Sequence, residues 1–525
     1  MLPFLNAESE NSKKYTIAFR GLNYGEGWQD GELSDCKNLG SHMFPSMTQR
    51  FGRWLRGEYT DARTLFVKDG LFVVAGGKLY YNDEEVGHVG VGYSMAAVGD
   101  YVVIFPAKKA YNVKTGELID MGVHLTVYDA TFTDSTISVE SVFAGGKLSD
   151  FKAGDGVTIE GCAEHPENNK TAIVRSVTDN TLTFYENTFT AGQQLGHITL
   201  SRDIPDLDHI CESNYRLWGT KGNTIYASKY GDPFNFEVFE GLSSDSYTID
   251  VATEGDFTGC IAYGNTVCFF KENNLHKLYG TKPSNFQLVT TQVNGVNADC
   301  DRSMCVINET LYYLGVHGVY AYTGSVPELI SPNFGGRMYR YGCAASDGER
   351  YYISMCRPWD MTWGLYVYDI RRNIWLKEDD TEYVDIACCD GCIYLLSKDG
   401  NLERVDPTGI QSEIEWSATF CPFHETVNER KGYSKFHMRL ELGLNAWVAV
   451  EIKRDTDTKW EEVYQTYAEH TLEDLGDIFR GVGDRRTVTL PILPARCDSV
   501  EIRLRGKGEC ILRTFIREFF VGSDV

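Results

Sequence analysis

The chain has 525 residues, 42% of them hydrophobic and 13% aromatic, and 74 acidic against 50 basic side chains leave a formal charge of −24. Charge of that sign repels phosphate and argues against tight electrostatic binding of nucleic acid or an anionic membrane, although DNA that passes without adhering stays compatible. No apolar run approaches the ~20 residues of a membrane-spanning helix, and the start Met1-Leu2-Pro3-Phe4-Leu5-Asn6 turns polar too early for a secretory signal.

A prior of roughly 150 residues per domain suggests about three or four units. The 31 Tyr and 27 Phe suit pleated, half-buried strands, and the 51 Gly suit many tight turns, so an all-β fold is expected. Residues 1–60 are Gly-rich and irregular; they predict an extended arm that lies on, or closes, the domain behind it. From residue 61 a short pattern begins: a Gly or Asn turn, four or five apolar and aromatic residues, a second turn, then a Tyr-containing strand. It reads Gly70-Leu71-Phe72-Val73-Val74 and returns at Gly99, Asn214, Gly264, Asn308, Gly348 and Gly391. The last four copies start 44, 40 and 43 residues apart. A period of ~40–50 residues made only of strands and turns is that of propeller blades, which must stack around an axis because no blade buries both faces alone. Seven copies are countable, with six to eight as the range, because the first and last blades of a ring are often completed from distant segments.

The rhythm breaks over residues 125–202. Short strands such as Gly156-Val157-Thr158-Ile159 and Thr181-Leu182-Thr183-Phe184, with a hairpin turn at Asp179-Asn180, predict a small β-barrel inserted between blades two and three. Blades resume over 203–410, with Lys398-Asp399-Gly400 as a hairpin turn. Residues 411–525 alternate over longer strands, as in Trp447-Val448-Ala449-Val450-Glu451-Ile452, and predict a C-terminal β-sandwich. Within it only 471–480, with Leu472, Leu475 and Phe479, looks helical.

Catalytic motifs are lacking. Gly90-Val91-Gly92 has no third Gly for a phosphate-cradling loop, and there is neither a Gly-x-Ser-x-Gly elbow nor a His pair at metalloprotease spacing. The odd count of 15 Cys, many inside apolar strands, reads as free, buried thiols in a reducing compartment. Cys388-Cys389-Asp390-Gly391-Cys392 lacks a second ligand pair at zinc spacing. Asp203-Ile204-Pro205-Asp206-Leu207-Asp208-His209 reads as a solvated linker, Glu378-Asp379-Asp380-Thr381-Glu382 as an exposed loop, and Asp455-Thr456-Asp457 as a turn. The arginines between Arg496 and Arg517 alternate with Val500, Ile502, Leu504, Ile511 and Phe515, as on the outer face of a sandwich strand pair, with a partner-binding face as the second reading. No residue is therefore assigned a catalytic, cofactor-binding or metal-ligating role.

One segment is more specific. Asn214-Tyr215-Arg216-Leu217-Trp218-Gly219, Asn223-Thr224-Ile225-Tyr226-Ala227-Ser228 and Gly231-Asp232-Pro233-Phe234-Asn235-Phe236 resemble a blade of bacteriophage virion proteins, most closely the tail nozzle or packaged-DNA stabilisation proteins of short-tailed phages. Gly21-Leu22-Asn23 with Asp30-Gly31-Glu32 and Asn38-Leu39, and the ending from Arg496-Cys497-Asp498 through Ile502-Arg503-Leu504-Arg505-Gly506-Lys507-Gly508 to Phe520-Val521-Gly522-Ser523, resemble the same group. The Gly154-Asp155 barrel resembles modules inserted in phage tail proteins. The resemblance implies a structural protein of the virion tail, made in the host cytoplasm, with no enzyme activity and no cofactor. It also implies a homo-oligomeric ring that takes part in DNA ejection, contacts portal, adaptor or other tail proteins, and lets DNA pass without tight binding or membrane insertion. The alternative is a tail-associated glycan-binding or glycoside-hydrolysing propeller; its mark would be exposed aromatics at the propeller mouth with two convergent carboxylates.

Overall fold

The computed structural model describes residues 12–185, 187, 189–407, 413–425, 429–455, 457–468, 484–493 and 495–521. The helix expected over 471–480 lies outside them, as do Thr456 and Gly522-Ser523.

Among the described residues, seven four-stranded antiparallel sheets form a β-propeller. Blade one runs from Ala62–Val67 to Glu84–His88, blade two from Gly92–Val98 to Glu117–Asp120 and blade three from His209–Ser213 to Tyr247–Asp250. Blade four runs from Gly259–Tyr263 to Gln287–Gln292, blade five from Cys305–Ile307 to Glu328–Leu329 and blade six from Arg340–Ser346 to Ile374–Asp379. Blade seven supplies three strands from Tyr383–Cys389 to Asn401–Asp406, and its outermost strand is Gly52–Glu58, from ahead of blade one. The turns follow the sequence: Asn214, Asn308 and Asp390 sit at positive φ, where Asn and Asp are tolerated, beside Gly264, Gly348 and Gly391.

The amino-terminal segment is more ordered than its irregular composition suggests. Ser12–Thr16 and Met47–Gln49 both pair with Cys510–Val521 in one sandwich sheet. Glu32–Lys37 pairs with Glu415–Phe420 in the other and continues, through a parallel pairing, to Gly21–Leu22. Nor is the sandwich separate from the propeller. One apolar cluster runs from Phe270 and Tyr313 through Trp375 to Leu33 and Leu39, and on to Phe420, Phe436 and Phe515. The arm lies between sandwich and blade six: Asn38 N–H donates to Glu378 O at 2.7 Å, and a Cβ on Gly21 would collide with Trp375 O.

The acidic run 378–382 departs most from expectation. Glu378 and Asp379 end the outer strand of blade six and are buried, not exposed. Both accept from Arg53 of Gly52–Glu58, at 2.5 Å for Glu378; Tyr383 Oη bonds the same guanidinium at 2.6 Å, and Glu403 stands 3.5 Å away. A charge buried this deeply persists only when paired, so these contacts fix the closing strand of blade seven to its neighbour.

Residues 123–202 form a closed six-stranded barrel. It has its own core, with Val157 and Ile159 on one face together with Leu125, Val127, Leu182 and Phe184. Its joint to blade three is polar and buried. Arg202 pairs with Asp155 and donates to Met121 O at 3.0 Å. Asn235 donates to Asp155 at 3.0 Å and accepts from Gly156 N–H at 3.1 Å, while Lys229 reaches Gly154 O at 2.9 Å. Asp155 and Arg202 both belong to the inserted segment, so removing it strands no buried charge. Replacing 125–202 with a short Gly/Ser linker is therefore expected to leave a soluble, cooperatively unfolding protein, since loop closure costs little more as a loop lengthens. Loss of the cooperative transition in a denaturant titration would show that the barrel is integral to the ring.

In blade three, Tyr226 and Phe236 share a cluster with Val103 and Phe105 of the preceding blade, not the following one. The sequence suggests one inter-blade core for Trp218, Tyr226 and Phe236, but Trp218 does not join the other two. It neighbours Leu217 in the strand, so it points to the opposite face, where its ring meets Phe269, Phe286 and Tyr247 with centroids 6.0, 5.4 and 6.4 Å away. Trp218 is only 2% exposed. Its replacement by Ala is expected to cost roughly 3–5 kcal/mol, read from the denaturation midpoint; a loss under about 1 kcal/mol would contradict this packing.

Candidate functional site at the propeller axis

The seven inner strands begin on one side of the ring. The first residues of several of them line a cavity of about 470 Å³ there: Ala62 and Arg63 from blade one, Tyr93 from blade two, Tyr341 to Cys343 from blade six, Tyr383 and Val384 from blade seven. The lead-in to blade five adds Asp299, Asp301 and Arg302, the last two within the short 3-10 turn Asp301–Ser303.

Arg302 is the centrepiece. Its guanidinium donates to Arg63 O at 2.9 Å, Val384 O at 3.1 Å and Tyr93 O at 2.8 Å, tying blades one, seven and two across the axis. Beside it Asp301 pairs with His209 of blade three at 3.3 Å. Burial opposes charge on both partners, but their contact outweighs it and raises the His209 imidazole; with the help of Arg302 it also lowers the Asp301 carboxyl. Burial raises the Asp385 carboxyl despite the nearby Arg302. Its oxygens accept from Thr64 Oγ1 and Leu65 N–H, both at 2.7 Å, and from Ile386 N–H at 2.9 Å. Three donors occupy it, so it is a cross-blade clamp and not a poised acid.

One wall is longer than its counterparts. The middle strands of blade six, Arg350–Arg357 and Thr362–Asp369, have eight residues each, against four to six in the other blades. Their turn carries Trp359 and Met361, both 59% exposed, and returns through Trp363, whose ring stacks on Tyr341 at 6.1 Å and 29°. Across the ring Tyr93 is 44% exposed, with the Arg63 guanidinium 5.9 Å from its ring centroid. Glu382 stands on the rim, 3.0 Å from Lys398. Aromatic faces around a few convergent polar groups make a site able to bind a small polar molecule with an apolar face.

The segments singled out in the sequence are scattered. Asp203, Asp206 and Asp208 each meet a different side chain (His124 at 3.1 Å, Lys108 at 2.7 Å, Lys221 at 2.8 Å) and do not converge. Ile204 and Leu207 are buried between them, so that linker is anchored and not simply solvated. Cys389 and Cys392 face each other across a hairpin of blade seven as free thiols. Among the described residues no group of three or more His, Cys, Asp or Glu is placed to hold a metal. The arginine-rich sandwich strands are internally neutralised: Arg503 and Arg505 pair with Glu451, and Arg513 with Glu441. The axial cavity went unread in the sequence. Its one local signal is Arg357-Pro358-Trp359-Asp360-Met361-Thr362-Trp363, where Trp359 and Met361 stand in a turn of four residues; the other blades join the same two strands through two or three.

No family model and no curated protein matches the chain. Similar solved structures include the computationally designed Ika8 protein, at 11% identity and a TM-score of 0.35, covering 67% of this chain and 98% of that one. BamB from Moraxella catarrhalis matches at 8% and 0.34, covering 69% and 98%. The Pan2 WD40 domain of Neurospora crassa matches at 9% and 0.32, covering 69% and 97%. Likenesses this distant carry no argument about function.

Proposed function

We propose that this chain is a structural component of a bacteriophage tail, of the nozzle or hub type, that assembles as a homo-oligomeric ring around the DNA path and mounts neighbouring tail proteins. The observation that carries the reading is the fusion of three lobes into one body by a buried polar joint at the barrel, an apolar cluster shared by propeller and sandwich, and strands paired between distant segments, built on blade and terminal motifs that resemble such proteins. A body of this kind transmits load instead of hinging. Arg302 crosses the propeller's own axis, so on this reading DNA passes between subunits and not through a single propeller. The charge of −24 suits a wall that repels duplex, because a basic wall would hold it through counterion release. Head-to-tail contacts between identical subunits close into rings when their rotation closes.

Light scattering and electron microscopy of the purified protein are expected to give a closed ring, and titration with duplex DNA at low salt to give no sub-micromolar binding. A strict monomer at high concentration, or tight duplex binding, would overturn the assignment.

A further inference from the structure

We propose that the axial mouth is a binding site for a neutral saccharide, held between the Tyr93 and Tyr341–Trp363 aromatic faces above Arg302. The inference is independent of the virion reading. It rests first on shape. A volume of about 470 Å³ lies within the range of small-ligand clefts and accepts one or two sugar rings. It rests next on the walls. The stacked Tyr341–Trp363 pair and the exposed Tyr93 belong to blades six and two, three steps apart around the ring, and the lengthened hairpin of blade six brings Trp363 to the mouth. Pyranose rings carry C–H groups on one face, which pack on aromatic rings much as other apolar surface does, while their hydroxyls remain at the edge.

The polar groups suit hydroxyls. Arg302 spends three N–H groups on carbonyls, and its side chain keeps 26% exposure; a guanidinium has five N–H groups. Asp299 and Glu382 line the same cavity and offer acceptor oxygens. With Asp301 also in the wall, three acidic side chains meet two arginines, Arg63 and Arg302, and Asp301 and Glu382 are themselves paired, with His209 and Lys398. Arg63 is partly neutralised by Asp61 at 2.7 Å. Charges paired in this way suit uncharged hydroxyl groups and give an anionic sugar no added attraction.

The test is titration of the intact protein with a panel of neutral disaccharides (maltose, lactose, cellobiose and chitobiose), with sialyllactose as the anionic control, read by calorimetry and by tryptophan fluorescence. At least one neutral sugar is expected to bind with a dissociation constant on the order of 1 mM. Tyr341→Ala and Tyr93→Ala should each weaken it about tenfold, while Tyr341→Phe, which keeps the ring, should bind as the parent does. Both tyrosines are exposed, so an unchanged melting transition will show that the variants are folded. Trp363→Phe should remove the fluorescence response. No binding by any neutral sugar, binding that survives both alanine substitutions, loss of binding in Tyr341→Phe, or a preference for sialyllactose would each overturn the proposal.

Discussion

Replacement of Arg53 by Met is expected to lower stability by about 3–5 kcal/mol and to open the propeller at its seventh blade, because the change strands Glu378 and Asp379 in the interior without their counter-charge. The loss comes from the carboxylates left behind more than from the pair itself. A triple variant, Arg53→Met with Glu378→Gln and Asp379→Asn, should therefore recover much of it. The latch also has a pH signature. Burial alone would raise the Asp379 carboxyl, but the Arg53 charge carries it below its ordinary value. A depressed folded-state pKa contributes stability that is present above the unfolded value and is lost as pH falls through the folded one. The parent and Arg53→Met should thus differ widely at neutral pH and converge in acid. Denaturant midpoints at both pH values, with limited proteolysis at Gly52–Glu58, would measure it. An unchanged midpoint at neutral pH would rule out the latch.

The second large effect lies in the sandwich. Arg517 is buried and pairs with Glu425 at 2.6 Å, and its guanidinium lies 3.7 Å from the centroid of the Phe423 ring. It also donates to Thr16 Oγ1 at 2.5 Å and to Asp30 at 2.9 Å, so one side chain holds both the first strand and the loop that leads to Glu32–Lys37. Arg517→Met should cost about 3–5 kcal/mol, since Glu425 is equally buried. Proteases should then cut near Ser12–Thr16 before they cut elsewhere. Arg517→Lys should rescue little, because an ammonium cannot serve three partners in the fork geometry of a guanidinium. Full rescue by Lys, or no early cleavage, would count against this account.

The blades were legible because each declares itself locally: a turn residue suited to positive φ, then an apolar strand. The barrel and sandwich were legible as breaks in that rhythm. Trp218 was legible as buried, but not its face: read into one core with Tyr226 and Phe236, it packs on the opposite side of the blade, against Phe269. What stayed hidden depends on residues far apart in the chain. Glu378 and Asp379 look like a solvated loop until Arg53, some 325 positions earlier, is brought against them. The arm looked irregular because its strands are short and three of them take partners from the other end of the chain. The axial cavity assembles residues from five of the seven blades, one or a few from each, and only the lengthened hairpin of blade six marks it locally.

The pairing of Ser12–Thr16 with Cys510–Val521, and of Gly52–Glu58 with Asn401–Asp406, also sets a clock on biogenesis. At about 5–20 residues per second, a ribosome takes roughly half a minute to two minutes to travel from the first strand to its partner. The barrel can mature during that interval because its core is its own. The leading strands cannot, and they wait with unpaired edges while several hundred residues emerge behind them. A chain truncated before residue 510 would seat Gly52–Glu58 but never Ser12–Thr16. Only chains that include Cys510–Val521 complete both sheets of the sandwich, so assembly selects against products cut short of that strand.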